Sequence, residues 1–415
     1  VRPTPAERER VIERTVAEYS AVKVRPPRWI RGDMLDWEEF KAELLTCVMA
    51  MEPTAGAGVP YAGIDNRVTH RHWIEDPLMM PLITYLLWVR TIKLSRVSAE
   101  EWETLTPEEC VRRGLCDPVR VFVKGEPHKS SKLADKRFRI IMSVSLLDQL
   151  VARMLFRMGN HAELLLHEAI PSQPGMGLSS DEQVERFQQR LSLKCGIPLE
   201  DLHSQWATAV RPTDCSGFDW SVQDWMLIDD LEVRNRLTIG CPPILRRMRS
   251  GWLHCLMNSV LELGDGTLLA QTEPGIQKSG SYLTSSTNSR VRFMCAVYAG
   301  AEWAFTMGDD ALEDANSSLE IYERLGLKVE ASDQLEFCSQ HFVSPTVAIP
   351  AGVGKMLYKL LNSYDPGSSD PTCALRYASA CEGVVKELRH LPADQIQALA
   401  MFLAKSDEEQ SCKRE

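Results

Sequence analysis

Two adjacent aspartates, Asp309 and Asp310, follow Gly308 in the middle of an otherwise apolar stretch, Ala304 to Leu312. Neighbouring carboxylates repel each other, and each resists burial as an ion. A chain that carries them inside a β-rich run must expose them or give them a cation, and the glycine predicts how: a tight turn joining two short strands. The triplet alone is weak evidence, since at ordinary residue usage Gly-Asp-Asp arises by chance in roughly one chain of this length in ten. What precedes it in the sequence raises its weight.

A second acidic cluster, Asp214-Cys-Ser-Gly-Phe-Asp219, stands where a short β-like run from Trp206 to Val210 is expected to enter a loop before helical periodicity resumes over Trp225 to Leu237. Taken alone, a helix-capping Asp214 and a solvated Asp219 are the commoner arrangement, in about two cases of three. With Asp214 and the Gly-Asp-Asp tip on neighbouring strands, however, the carboxylates would form a set of hard oxygen ligands suited to two Mg²⁺ ions roughly 3.5 to 4 Å apart.

Between the acidic clusters lies Ser279-Gly280-Ser-Tyr-Leu-Thr284-Ser-Ser-Thr-Asn288. Thr284 and Asn288 are one helical turn apart, so a helix from about Tyr282 to Tyr298 would point them the same way, with the Ser-Gly pair as a flexible entry. Helix-start caps and a surface asparagine account for these residue types singly. They do not account for the whole pattern falling between two acidic clusters. Asp219, Thr284 and Asn288 together have the donors and acceptors that recognise a ribose 2′-OH.

Composition sets the frame. The chain has 415 residues, 44% of them hydrophobic, and 47 basic against 57 acidic side chains give a net charge of −10. That length predicts two or three lobes of an ordinary globular protein, and the acidic balance excludes a generally basic nucleic-acid binder. The charge is segregated: Arg120 to Arg139 holds seven basic residues against two acidic ones, and Val1 to Arg31 eight against four. Such segregation allows an enclosed basic channel, because screening confines each lining to its own neighbourhood. Twelve cysteines without a Cys-x-x-Cys pair predict reduced thiols, and no apolar stretch is long enough to span a bilayer. Val1 is read either as a proteolytic cut from a polyprotein or as an arbitrary boundary. Helices are expected over Pro5 to Tyr19, Pro81 to Lys93 and Leu146 to Met158, a surface strap over Lys23 to Arg31, a loop over Thr54 to Gly63 and a hairpin over Leu261 to Gln271. The pair Asp229-Asp230, inside a helical pattern, is expected on a solvated face.

In their order, the clusters resemble motifs A, B and C of the RNA-dependent RNA polymerases of positive-strand RNA viruses. Val121-Phe-Val-Lys124-Gly-Glu126 through Lys136-Arg137-Phe-Arg139 resembles motif F, Leu335-Glu-Phe-Cys338-Ser-Gln-His-Phe342 motif E and Thr54-Ala-Gly-Ala-Gly58 motif G. The likeness is nearest to the sobemovirus and polerovirus group of plant viruses. It implies an α+β right-hand polymerase with an RRM-like antiparallel palm sheet: fingers and tether over 1–205, palm over 206–240, a fingers insertion over 241–276, palm again over 277–345 and a short thumb over 346–415. It further implies that Asp214, Asp309 and Asp310 hold two Mg²⁺ or Mn²⁺ ions. Asp219, Ser279, Gly280, Thr284, Asn288, Lys124, Arg137 and Arg139 would bind the nucleotide, and Lys129, Lys132 and Lys136 the RNA. Lys328, in the motif D region, is a candidate general acid, although an exposed structural lysine is at least as common there. The implied partners are an RNA template, a primer or product strand, NTPs, a genome-linked protein primer and other viral replication proteins. The implied setting is a replication complex in the host cytoplasm, with membranes reached through partners. A reverse transcriptase and a non-catalytic RNA-binding replicase subunit are the rival readings.

Overall fold

The computed structural model describes residues 1–125, 134, 136, 138–363, 372–398 and 401. In chain order, the helices used below are α1 (Pro5–Glu18), α2 (Met79–Arg96), α3 (Leu146–Leu165), α4 (Asp181–Cys195), α5 (Asp224–Arg236), α6 (Pro243–Met257), α7 (Thr284–Tyr298), α8 (Val353–Leu361) and α9 (Cys373–Glu387). The strands used below are β1 (Val119–Val123), β2 (Ile140–Ser143), β3 (Val210–Ser216), β4 (Val260–Glu262), β5 (Leu268–Ala270), β6 (Ala304–Met307), β7 (Asp310–Asp314), β8 (Lys328–Ala331), β9 (Glu336–Phe337), β10 (Gln340–Ser344) and β11 (Val347–Pro350). The chain divides into two compact units, Val1–Met176 with Thr213–Ala331, and Gly177–Pro212 with Ser332–Glu415.

The first unit holds the predicted site. Its four-stranded sheet runs in the order β8-β3-β7-β6, with β8 antiparallel to β3 and β6 antiparallel to β7. The period-two alternation of a strand is plain in β3: Thr213 and Cys215 are buried, while Asp214 and Ser216 face outward. The inner face packs on α7, whose residues from Ser286 to Ala296 are all buried, and on a core that includes Phe293, Val291, Leu231 and Tyr322. A second sheet, in the order β2-β1-β4-β5, pairs β1 antiparallel with β2 and parallel with β4. Its β4-β5 hairpin turns at Gly264-Asp265-Gly266, as the sequence predicts.

Two sequence expectations need correction here. The β-like run at Trp206 is a 3₁₀ turn over Trp206–Thr208 that prolongs the preceding helix, and β3 begins only at Val210. Aromatic and β-branched residues there signalled a strand, but the chain leaves the Leu199–Gln205 helix still coiled. The strap over Lys23 to Arg31 is extended but not superficial. Val24 exchanges backbone hydrogen bonds with Leu237 and Ile239 at 3.0 and 2.8 Å, and the fully buried Trp29 meets Phe40 edge-on at 5.2 Å. An indole of that size buries enough apolar surface to fix the whole segment.

In the second unit, β9, β10 and β11 form a three-stranded antiparallel sheet. Phe187 of α4 stacks on Phe337 and Phe342 at 5.6 Å, and Gln188 donates to the Ser344 carbonyl at 2.7 Å. Gly196 ends α4 in the left-handed conformation. The helices α8 and α9 follow, and Arg389 pairs with Asp181 at 2.7 Å.

Candidate functional site

Only Gly308 and Asp309 separate β6 from β7, since Met307 already pairs with Asp310. Gly308 has φ 63, a conformation nearly free for glycine and costly for a residue with a Cβ. Helix α7 holds this turn from beneath. Ser289 Oγ accepts the Gly308 N–H at 2.8 Å, and its carbonyl accepts the Thr306 hydroxyl at 2.7 Å. Arg292, fully buried one turn further on, donates Nε to the Asp309 carbonyl at 3.1 Å, Nη1 to the Tyr322 hydroxyl at 2.9 Å and Nη2 to Thr213 Oγ1 at 2.5 Å. Glu313 lies 3.6 Å from the same guanidinium and accepts from Thr213 Oγ1 at 3.0 Å. One arginine thus ties the residue before Asp214 to the backbone of Asp309.

The carboxylates on this frame are not neutralised by it. Burial pushes the Asp309 pKa up, the Asp214 carboxylate pushes it further, and Asp219 adds to the effect while Arg139 opposes it. The side chain still reaches solvent. Asp310 opens β7 half-buried, opposite Met307. Among the described residues no three carboxylate, imidazole or thiol groups converge into a cage, which like charges held on separate strands do not do unaided. The donor chemistry nevertheless fits a hard divalent cation: carboxylate oxygens from β3 and the β6-β7 turn, one carrying a pKa raised by the other.

Beside them, Asn288 Nδ2 donates to Asp219 Oδ1 at 2.7 Å, while Asn288 Oδ1 is buried with no hydrogen-bond partner. Burial raises the Asp219 pKa against the pull of Asn288 and Arg139. Thr284 is spent on the turn before α7: its hydroxyl is shared between the Lys278 and Ser281 carbonyls at 2.7 and 2.9 Å and receives Gln277 Nε2 at 3.3 Å. Ser279 and Gly280 lock against β2. Ser279 Oγ accepts the Met142 N–H at 3.0 Å, Gly280 N–H donates to the Met142 carbonyl at 2.9 Å, and the Gln149 amide donates to the Gly280 carbonyl. A Cβ on residue 280 would fall 2.4 Å from the Met142 carbonyl oxygen, so only glycine permits this approach.

The structure therefore brings Asp214, Asp219, Asp309, Asn288 and Arg139 into one electrostatic neighbourhood, with Ser279, Gly280 and Thr284 in the adjoining turn. Lys124 joins Arg139 through a backbone hydrogen bond of 2.8 Å. Lys136 is exposed, and Lys129, Lys132 and Arg137 lie outside the described residues. Lys328 pairs with Ser216 across β8 and β3, placing it on the face that carries Asp214, with Nζ 3.5 Å from Glu330. Ser289, Arg292, Glu313 and Tyr322 escaped the sequence reading. The available signal was Arg292 itself, a charge among Val291, Phe293 and Met294 in a helix too apolar to be solvated on that side.

The expectation for Asp229-Asp230 is overturned. Both are buried in α5: Asp229 receives Arg8 Nε at 3.0 Å, and Asp230 receives Arg234 Nε at 2.9 Å, Thr287 Oγ1 at 2.9 Å and Arg290 Nη1 at 2.5 Å. Glu163 completes this network by pairing with Arg290. The helix is covered on several sides, so its acidic pair faces arginines rather than water.

These elements make an α+β fold in which a four-stranded sheet packs on one long helix. The Sicinivirus 3Dpol RNA-dependent RNA polymerase superposes on it with a TM-score of 0.58 at 15% identity, covering 94% of this chain and 82% of that one. The chain belongs to the viral RNA-directed RNA polymerase family, whose model matches residues 2–346. Protein P1-P2 of Turnip yellows virus (isolate FL-1) is 51% identical over 391 residues, covering 94% of this chain and 37% of the relative. Protein P2-P3 of Poinsettia latent virus is 50% identical over 401 residues, covering 97% and 36%. The Replicase polyprotein P2AB of Southern bean mosaic virus is 40% identical over 347 residues, covering 80% and 34%. The chain thus spans little more than a third of the length of these relatives.

Proposed function

We propose that this chain is the RNA-synthesising part of a larger viral replicase and extends an RNA 3′ end by ribonucleotides on an RNA template. The observation that supports this most is the pairing of two environments on one frame: Asp309, its pKa raised by burial and by Asp214, and the Asp219-Asn288 hydrogen bond beside it. Asp214 and Asp309, with Asp310 assisting, would hold two Mg²⁺ or Mn²⁺ ions. Such ions, when bound, would make the primer hydroxyl a better nucleophile and neutralise charge on the triphosphate. Arg292 and Ser289 keep the Asp309 backbone fixed, so the carboxylates are oriented before substrate arrives.

Asp219 and Asn288 would read the 2′-OH as a hydrogen-bonded pair. Arg139 and Lys124, joined where β1 and β2 give way to their connecting segment, would face the triphosphate together with Arg137, where guanidinium forks suit phosphate oxygens. Lys129, Lys132 and Lys136 would follow the RNA. Lys328, on the face of Asp214, is the candidate proton donor to pyrophosphate. Residues 1–205 and the insertion over 241–276 would supply the fingers, 206–240 and 277–345 the palm, and 346–415 the thumb. Partners would be RNA, NTPs, a genome-linked protein primer and other replication proteins, in the host cytoplasm. Among the described residues no helix is long and apolar enough to cross a membrane. Extension of an RNA primer on poly-C, with GTP against dGTP, tests the reading; a clear preference for dGTP would replace it with reverse transcription.

A further inference from the structure

Lys278 stands immediately before Ser279-Gly280, and its side chain is fully buried. A lysine so placed normally faces a carboxylate. Here Nζ donates to Gln271 Oε1 at 2.5 Å, to the Gly275 carbonyl at 3.0 Å and to the Ile276 carbonyl at 3.2 Å, all of them neutral oxygens. The three acceptors match the three donors of an ammonium. Burial alone lowers its pKa, to about 7, and no charged side chain contributes to the shift. Keeping a cation here is costly to the fold, so what it holds matters.

What it holds is a strained turn. Gly275 has φ 125 and Ile276 has φ 61, a left-handed conformation that a β-branched residue adopts only under constraint. In return, the turn presents its backbone to the segment that carries Asp219. Ile276 N–H donates to the Val222 carbonyl at 2.8 Å, and Gln277 N–H donates to the carbonyl of Asp219 itself at 2.9 Å. Gln277 Nε2 then reaches Thr284 Oγ1 at 3.3 Å, at the start of the helix that bears Asn288. The route from Lys278 to the Asp219-Asn288 hydrogen bond is continuous and short.

We propose that Lys278 is a positioning residue for sugar selection: its Nζ clamps the 275–277 turn in the left-handed form that holds Asp219 against Asn288. The inference rests on the reading of Asp219 and Asn288 as the ribose-recognising pair. Lys278 touches neither nucleotide nor carboxylate. It acts through the Gln277 amide and the Asp219 carbonyl.

The test compares kcat/KM for GTP and dGTP on poly-C in five proteins: the unsubstituted chain, Lys278→Met, Ile276→Gly, the double variant and Asn288→Ala. Lys278→Met keeps the bulk and removes the donors, and its GTP-over-dGTP ratio is expected to fall about ten-fold, as losing roughly one hydrogen bond's worth of positioning would give. Ile276→Gly removes the strain without touching the clamp and should leave the ratio unchanged. In the double variant the turn no longer needs a clamp, so the ratio should recover. A Lys278→Met ratio equal to that of the unsubstituted chain overturns the proposal, and so does a loss that Ile276→Gly fails to restore. Should Lys278→Met not fold, as its thermal unfolding would reveal, Gln271→Leu removes one acceptor and is expected to lower the ratio in the same direction; an unchanged ratio there counts equally against the clamp. If Asn288→Ala itself leaves the ratio intact, the sugar-reading assignment fails instead, and the two failures are told apart.

Discussion

The chain contains two pairs of adjacent aspartates in apolar surroundings, Asp229-Asp230 and Asp309-Asp310, and they have opposite fates. Desolvation raises the pKa of Asp229, Asp230 and Asp309, although the first two are buried and the third is exposed. The second influence differs in sign. For Asp229 it is Arg8, and for Asp230 it is Arg234, each favouring the ionised form, whereas for Asp309 it is the carboxylate of Asp214, which disfavours it. One pair is neutralised by the protein and serves the fold. In the other, Asp309 faces the carboxylates of Asp214 and Asp219 as well as Arg139, a setting in which an added cation would be favoured. A carboxylate pair is therefore classified by what faces it rather than by its sequence neighbours.

The sharpest way to break this contrast is to exchange the readouts. Asp309→Ala is expected to cut RNA synthesis by roughly a thousand-fold or more, about 4 kcal/mol of transition-state stabilisation. Its thermal unfolding should be unchanged or raised, because a repulsion with Asp214 is removed; a large loss of stability would place Asp309 in the structural class. Asp230→Ala should do the reverse. It leaves the buried Arg234 without a carboxylate and Arg290 with Glu163 alone, at a cost of about 3–5 kcal/mol read by urea unfolding, and a variant of undiminished stability would contradict the network.

Smaller effects sharpen the comparison further. Asn288→Ala removes one hydrogen bond to Asp219 and should reduce the preference for GTP over dGTP by about ten-fold while changing GTP incorporation much less. An equal loss with both nucleotides would make Asn288 a packing residue. Lys328→Ala is expected to have the least effect, a slowing of elongation below about ten-fold, as its side chain is largely exposed and its contact with Glu330 is long. A far greater loss, with a shifted pH profile, would promote Lys328 to the proton donor.

Spacing carried much of this into the sequence. The β6-β7 turn was legible because Gly308 and two acidic residues interrupt an apolar run, and α7 because Thr284 and Asn288 keep a helical interval. The arginine networks were not legible, because their partners are remote: Arg8 and Asp229 are 221 positions apart, and Glu163 and Ser286 are 123. The same remoteness hid the burial of Asp230, which pairs with Arg234 of its own helix but also with Thr287 and Arg290 of α7. At Trp206 the failure was different. Local propensity favoured a strand, but strand formation waits for neighbours, and β3 finds them only from Val210 onward.

Asn288, Ser289 and Arg292 occupy little more than one turn of α7, about 6 Å of rise. The first contacts the proposed sugar-reading carboxylate, and the other two grip the amide and carbonyl of the turn that bears Asp309. A rigid rod of that length has no joint between its ends. On the proposed reading, checking a nucleotide and committing to its incorporation are therefore movements of a single body, and accuracy and speed share one set of coordinates. Substitutions that tilt α7 to make the enzyme more or less selective should change its pace as well, leaving little room to adjust one quantity alone.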